Sequence, residues 1–221
     1  MENKLSFFFR HQIWHVGGTI ILFYIGSQFV DLDSNTNTFL EISALNWFII
    51  AMAIPLVHQI YVWICWRSEL YWKSISNSIG LKGYLIIFFI LIISRLSALV
   101  LCFIDYGSLY KPGLIAWGLS IIVFIPGIYT MYSVKKYFGF VRAAGADHFD
   151  PKYRDMPFEK RGIFKWSSNA MYTYGIAIPF GFAIATGSQS MFIVSIYSYI
   201  AIWLHYFCTE REDFKVIYGN N

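Results

Sequence analysis

The chain has 221 residues, of which 57% are apolar, 20% aromatic and only 14% charged, with a formal net charge of +4. A soluble domain of this length carries about a quarter charged residues, so this composition and a mean hydropathy of +0.51 argue for burial in lipid. Disordered, collagen-like and disulfide-framework classes are excluded; Cys65, Cys102 and Cys208 each sit in an apolar run and share no metal-ligand spacing, so no metal site is expected.

Six stretches approach the roughly 20 apolar residues that a spanning helix needs: 14–30, 45–66, 85–104, 114–133, 170–186 and 191–207. The third and fourth are the clearest. The last two are short and are expected to form a tight helical hairpin turning at Gly187-Ser188-Gln189-Ser190. No run alternates with a period of two, so strands are not expected. The first run lacks a small-residue cleavage pattern and is read as the first span rather than a signal. The predicted class is all-α: a polytopic membrane protein of about six transmembrane helices with a carboxyl-terminal hairpin and a cytoplasmic cap loop. Residues 1–133 are expected to carry four helices, and residues 134–221 the cap, hairpin and tail.

Lys and Arg distribute unevenly among the connections. The amino-terminal tail has 2, the 67–82 loop 3, the 134–168 loop 8 and the carboxyl tail 2, whereas the opposite connections hold only Lys111. Both termini are therefore expected in the cytoplasm. The net positive charge is accounted for by anionic lipid headgroups, and nothing in the sequence resembles a nucleic-acid or phosphate-loop motif. A bacterial inner membrane and an endoplasmic reticulum membrane both suit this topology.

The second span carries His58, Tyr61, Cys65 and Glu69 at helical spacing, with Arg67 between them. His58 lies within hydrocarbon depth, where an ionisable group is a functional candidate; the alternative is a histidine bonded to a neighbouring helix, with Arg67 and Glu69 capping at the interface. Arg95 lies inside the third span with no acid at comparable depth, which favours a lipid phosphate or a cluster of carbonyls as its partner. His15 is expected to be a satisfied interface residue. The 135–168 connection is 34 residues long and rich in aromatic side chains, too much so for disorder, and is read as a cap folded on the helix ends.

A hairpin turning at 189–190 returns Asn169, Tyr172 and Glu210 to the same membrane face, beside that cap. Glu210 is otherwise one of several charges on a solvated tail, with Arg211, Glu212 and Asp213. The stretch Gly162 to Gly175 (GIFKWSSNAMYTYG), followed by Thr209-Glu210-Arg211 and Tyr218-Gly219 and preceded by Tyr137-Phe138-Gly139, resembles the signature of the integral-membrane methyltransferases. That family includes the isoprenylcysteine carboxyl methyltransferases and the phospholipid (phosphatidylethanolamine) N-methyltransferases. The resemblance covers about 95 residues, from near Ile125 to Gly219.

The resemblance implies S-adenosylmethionine as cofactor. It implies contacts from Phe164, from Asn169, Ala170, Met171 and Tyr172, from Glu210, and from the upstream stretch Met156, Pro157, Phe158 and Glu159. Ala170 replaces the family's usual proline, and Arg211 the second acid of its pair. Tyr206 stands where the prenylcysteine enzymes carry a carboxylate-binding arginine, which leans toward the phospholipid branch.

The expected reaction is therefore methylation of a membrane lipid, first of all the amine headgroup of phosphatidylethanolamine. His58, Tyr61, Arg67, Glu69, Arg95 and Tyr206 are the candidates for substrate binding. His148, Asp150 and Glu210 are the candidates for accepting the proton that an amine must lose. A prenylcysteine carboxylate, a sterol-type reductase using a nicotinamide cofactor, and a transporter or scaffold remain as alternatives.

Overall fold

The computed structural model of the chain describes residues 3–32 and 35–219. Its helices follow the apolar runs, and seven of them frame the site: α1 (Lys4–Phe9), α2 (Gln12–Ser27), α3 (Ala44–Trp72), α4 (Gly80–Ile104), α5 (Leu114–Phe138), α6 (Met171–Thr186) and α7 (Gln189–Tyr218). Four of these, α3, α4, α5 and α7, are long and apolar enough to cross a membrane. The other two expected spans, α2 and α6, each have 16 residues. At 1.5 Å per residue that is about 24 Å, short of a hydrocarbon core of about 30 Å. The chain breaks before α2 at His11, whose φ of 62° is left-handed.

Caps and turns fix the ends. The Ser43 hydroxyl accepts from the Asn46 amide at the start of α3. At the other end of α3, the Glu69 carboxylate accepts from the Ser76 amide (2.8 Å) and hydroxyl (2.5 Å) and so closes the link to the helical turn Ser74–Ser78. The α6–α7 turn falls at the expected residues. Gly187 takes φ 58° and is packed against the Tyr110 carbonyl, while Ser188 caps α7 by accepting from the Met191 amide. One carboxylate oxygen of Asp105 accepts from the Ser190 amide and from the Ser188 and Ser190 hydroxyls, pinning this turn to the end of α4.

Strands were not expected, yet Thr38–Phe39 pairs antiparallel with Ile42–Ser43. Leu40 and Glu41 take φ 51° and 62°, the left-handed pair that a two-residue hairpin turn needs. The main apolar core lies between α3, α4 and α7 and includes Phe48, Met52, Leu101, Met191 and Val194.

The residues between α5 and α6 fold in short turns (Phe140–Ala143, Ala146–His148, Pro151–Arg154 and Gly162–Lys165) that pack on the ends of α3 and α4. The Trp66 and His148 rings stack at 4.0 Å, and the Tyr84 and Phe149 rings lie 4.6 Å apart. Tyr84 donates from its hydroxyl to the Ala144 carbonyl and accepts from the Trp66 indole.

Candidate functional site

Among the described residues three helices carry a π-helical turn: Val134–Phe138 in α5, Met171–Gly175 in α6 and Tyr206–Glu210 in α7. Such turns add a residue to the helix, redirect the side chains around it and recur at functional sites. Two of the three face each other. Tyr172, on the α6 turn, donates a short hydrogen bond to Oε2 of Glu210, on the α7 turn. Glu210 is only 9% exposed, and its Oε1 accepts no hydrogen bond from the described residues. The rings of Trp203, Tyr206 and Tyr172 lie 5.5 to 6.2 Å from one another at this hydrogen bond, and the Trp203 indole N–H has no partner among the described residues. The corner thus combines one open carboxylate oxygen with aromatic faces, a combination suited to a ligand that carries positive charge.

Tyr172 also lines a cavity of about 430 Å³ enclosed by α3, α4, α5, α6 and α7. Along α7 the lining runs from Met191 to His205, about 21 Å at 1.5 Å per residue. Most of the wall is apolar. Its polar exceptions include His58, Gln59, Arg95 and His205. Met171 lines it beside Tyr172, whereas Ala170 is wholly buried behind them.

The expected substrate residues separate into two groups. His58 and Arg95 line the cavity. Arg67 and Glu69 do not, and both are fully buried within the protein. All three guanidinium nitrogens of Arg67 are bonded: Nε to Asp213 (2.9 Å), Nη1 to the carbonyls of Phe7, Phe8 and Arg10, and Nη2 to the carbonyl of Cys208. Arg67 therefore joins the amino-terminal segment, α3 and α7, with no room for a substrate. Glu69 is occupied by Ser76, and Tyr61 donates to the Tyr84 carbonyl. Tyr206 faces the Tyr172 ring at 6.0 Å.

The expected proton acceptors separate in the same way. His148 is fully buried, with Nδ1 3.1 Å from Asp147 and Nε2 3.6 Å from Asp213. Burial alone lowers the pKa of its imidazole, but the two carboxylates outweigh burial and raise it to about 9. A histidine already protonated at neutral pH is not a base there, so His148 is better described as the cation that holds the 134–168 segment to α7. Asp150 caps the turn Pro151–Arg154 by accepting from the Lys152 amide. Of the three, Glu210 alone belongs to the corner beside the cavity.

The upstream stretch lies on the outer side of the same segment. The Met156 and Pro157 carbonyls accept from Arg142, and Phe158 is 61% exposed with its ring against Tyr218. Glu159 is held by Arg161 at 2.8 Å, which pulls its pKa down to about 2. Phe164 is buried and stacks on Phe138, and the Asn169 carbonyl accepts from the Tyr172 and Thr173 amides.

Sequence reasoning passed over Gln59 and His205. His15 is buried with both ring nitrogens bonded, Nδ1 to Gln12 and Nε2 to Gln59, while the Gln59 Nε2 and His205 Nδ1 have no partner among the described residues. A signal was present: Gln59 adjoins His58, and His205 sits five residues before Glu210, both inside otherwise apolar runs.

Residues 115–221 match the family model of the phospholipid methyltransferases. No curated protein and no solved structure gives a match to the chain.

Proposed function

This chain belongs to the integral-membrane methyltransferases through residues 115–221, and from that premise we propose that it methylates the amine headgroup of a membrane lipid, phosphatidylethanolamine first of all, using S-adenosylmethionine. The observation that carries the reading is the Tyr172–Glu210 pair, built on two π turns inside the matched segment, with Tyr172 in the wall of the cavity. The donor set fits the cofactor. The open Oε1 of Glu210 suits an ammonium or ribose hydroxyl, the rings of Trp203, Tyr206 and Tyr172 suit a sulfonium and an adenine, and the cavity beside them suits a lipid. Residues 134–221 then supply the cofactor site, and the 134–168 segment is its cytoplasmic cap. Both termini lie in the cytoplasm, as the Lys and Arg distribution favours.

When bound, S-adenosylmethionine supplies an electrophilic methyl group for direct displacement, so the protein's work is positioning and exclusion of water. Glu210 orients the cofactor, and Tyr172 holds the Glu210 carboxylate. The apolar wall keeps water from the reacting groups. His205, with an unpartnered ring nitrogen in the cavity wall, takes the proton of the lipid ammonium in place of His148 and Asp150. The assignment is tested by titrating purified protein with S-adenosylmethionine and with NADPH. Cofactor binding that is lost in Glu210→Ala supports it; NADPH binding without S-adenosylmethionine binding moves the chain to the reductase reading.

A further inference from the structure

Midway along the cavity stands a set of polar groups that methyl transfer itself does not use. Arg95 lies where α4 tightens into the 3₁₀ stretch Arg95–Val100. It is half-buried, lines the cavity, and has no hydrogen-bond or ion-pair partner among the described residues. In the same wall both ring nitrogens of His58 (6% exposed) and Nε2 of Gln59 (2% exposed) are buried without partners among the described residues. His58 carries one N–H in either neutral tautomer, and the Gln59 amide and Arg95 guanidinium are donors throughout. Among the described residues no Asp or Glu lines the cavity. Counted from Trp72 and Gly80, His58 and Arg95 lie at matching depths of about 21 and 22 Å. A guanidinium at that depth is costly unless something neutralises it. All three residues line the cavity and no hydrogen bond joins one to another, and the wall around them is apolar, with Phe88, Phe89 and Leu99.

We propose that Arg95, His58 and Gln59 form an oxyanion subsite for the phosphodiester of the lipid substrate. The planar guanidinium matches two phosphate oxygens at once, and the amide and imidazole N–H groups complete the set. The acyl chains follow the apolar wall toward Met191, and the amine points toward Tyr172. The subsite makes the protein selective for aminolipids that carry a phosphate. It deepens the proposed function and rests on it only for the amine.

The test uses the purified full-length protein in neutral detergent without cofactor. Affinity is measured for phosphatidylethanolamine and for a diacyl aminolipid lacking phosphate, in wild type and Arg95→Gln. Wild type is expected to prefer the phospholipid by about tenfold or more, and Arg95→Gln to lose that preference while binding the phosphate-free lipid as wild type does. The melting temperature of Arg95→Gln is expected to be unchanged or higher, since an uncompensated charge has been removed. Arg95→Lys, which keeps the charge without the fork, is expected to fall between the two. Unchanged phospholipid affinity in Arg95→Gln, or equal losses for both lipids, overturns the subsite. So does weaker S-adenosylmethionine binding in lipid-free Arg95→Gln, which makes the cofactor carboxylate the anion, or inorganic phosphate competing as well as the lipid. Selective phospholipid binding with no methyl transfer keeps the subsite and sinks the proposed function instead.

Discussion

Tyr172 and Glu210, 38 residues apart, meet in a hydrogen bond that joins the π turn of α6 to the π turn of α7. A regular helix at either place directs its side chain elsewhere, so the pair depends on both irregularities. Because Oε2 is committed to Tyr172, the cofactor contact proposed for Glu210 falls on Oε1. Glu210→Ala is expected to weaken S-adenosylmethionine binding by about tenfold or more, from the roughly 1.5–3 kcal/mol of a charged hydrogen bond. Tyr172→Phe is expected to lose less, because the carboxylate survives. Calorimetric titration checks both, and unchanged affinity in a folded Glu210→Ala removes Glu210 from the site.

Arg67 and Asp213 are both fully buried and paired at 2.9 Å. Arg67→Ala leaves a buried carboxylate and three amino-terminal carbonyls without their donor, and is expected to cost about 3–5 kcal/mol. The double variant Arg67→Met, Asp213→Leu is expected to lose less than the single one, because no charge is left unpaired. Denaturant unfolding in detergent measures the difference. Equal losses contradict the desolvation argument.

His148 links stability to pH. Its pKa is raised to about 9 in the folded protein from an ordinary value of 6.5, so the ion pairs with Asp147 and Asp213 contribute fully below pH 6.5 and are lost as pH rises through about 9. The thermal unfolding midpoint is expected to fall across that window in wild type and to lose this component in His148→Gln. Identical pH profiles in the two proteins remove His148 from the linkage.

Gly145 takes φ 79°, and a Cβ built on it lands on the Trp66 indole. Gly145→Ala is expected to lose about 1–2 kcal/mol from the left-handed backbone. A similar amount is expected from displacing the indole that stacks on His148. A lowered melting temperature, with the 134–168 segment more open to proteolysis, checks this.

Composition and run length were enough for α3, α4 and α5, the turn at Gly187–Ser190 and the return of Tyr172 and Glu210 to one end of the hairpin; α7 was expected as the short run 191–207 but continues to Tyr218, and the hydrogen bond between the two side chains needs the π turns, which run length does not reveal. The short helix α2 was harder, since flanking apolar residues such as Phe29 and Val30 extend the hydropathy signal past the helix end, whereas α6 keeps nearly the bounds of its apolar run. The roles of Arg67 and His148 were not legible at all. Their partners, the carbonyls of Phe7, Phe8 and Arg10 and the carboxylate of Asp213, lie in distant segments, and a backbone carbonyl leaves no mark in a sequence. Gln59 and His205 escaped for a related reason: a polar residue in an apolar run says that something is unusual there, but only the fold shows that its nitrogen is left without a partner.

The central claim is tested most directly by incubating membranes that contain the protein with methyl-labelled S-adenosylmethionine, extracting the lipids and asking where the label sits, with Glu210→Ala membranes as control. Label in methylated derivatives of phosphatidylethanolamine, absent from the control, is the predicted result. No label in any lipid from wild-type membranes, or equal label in both preparations, contradicts it.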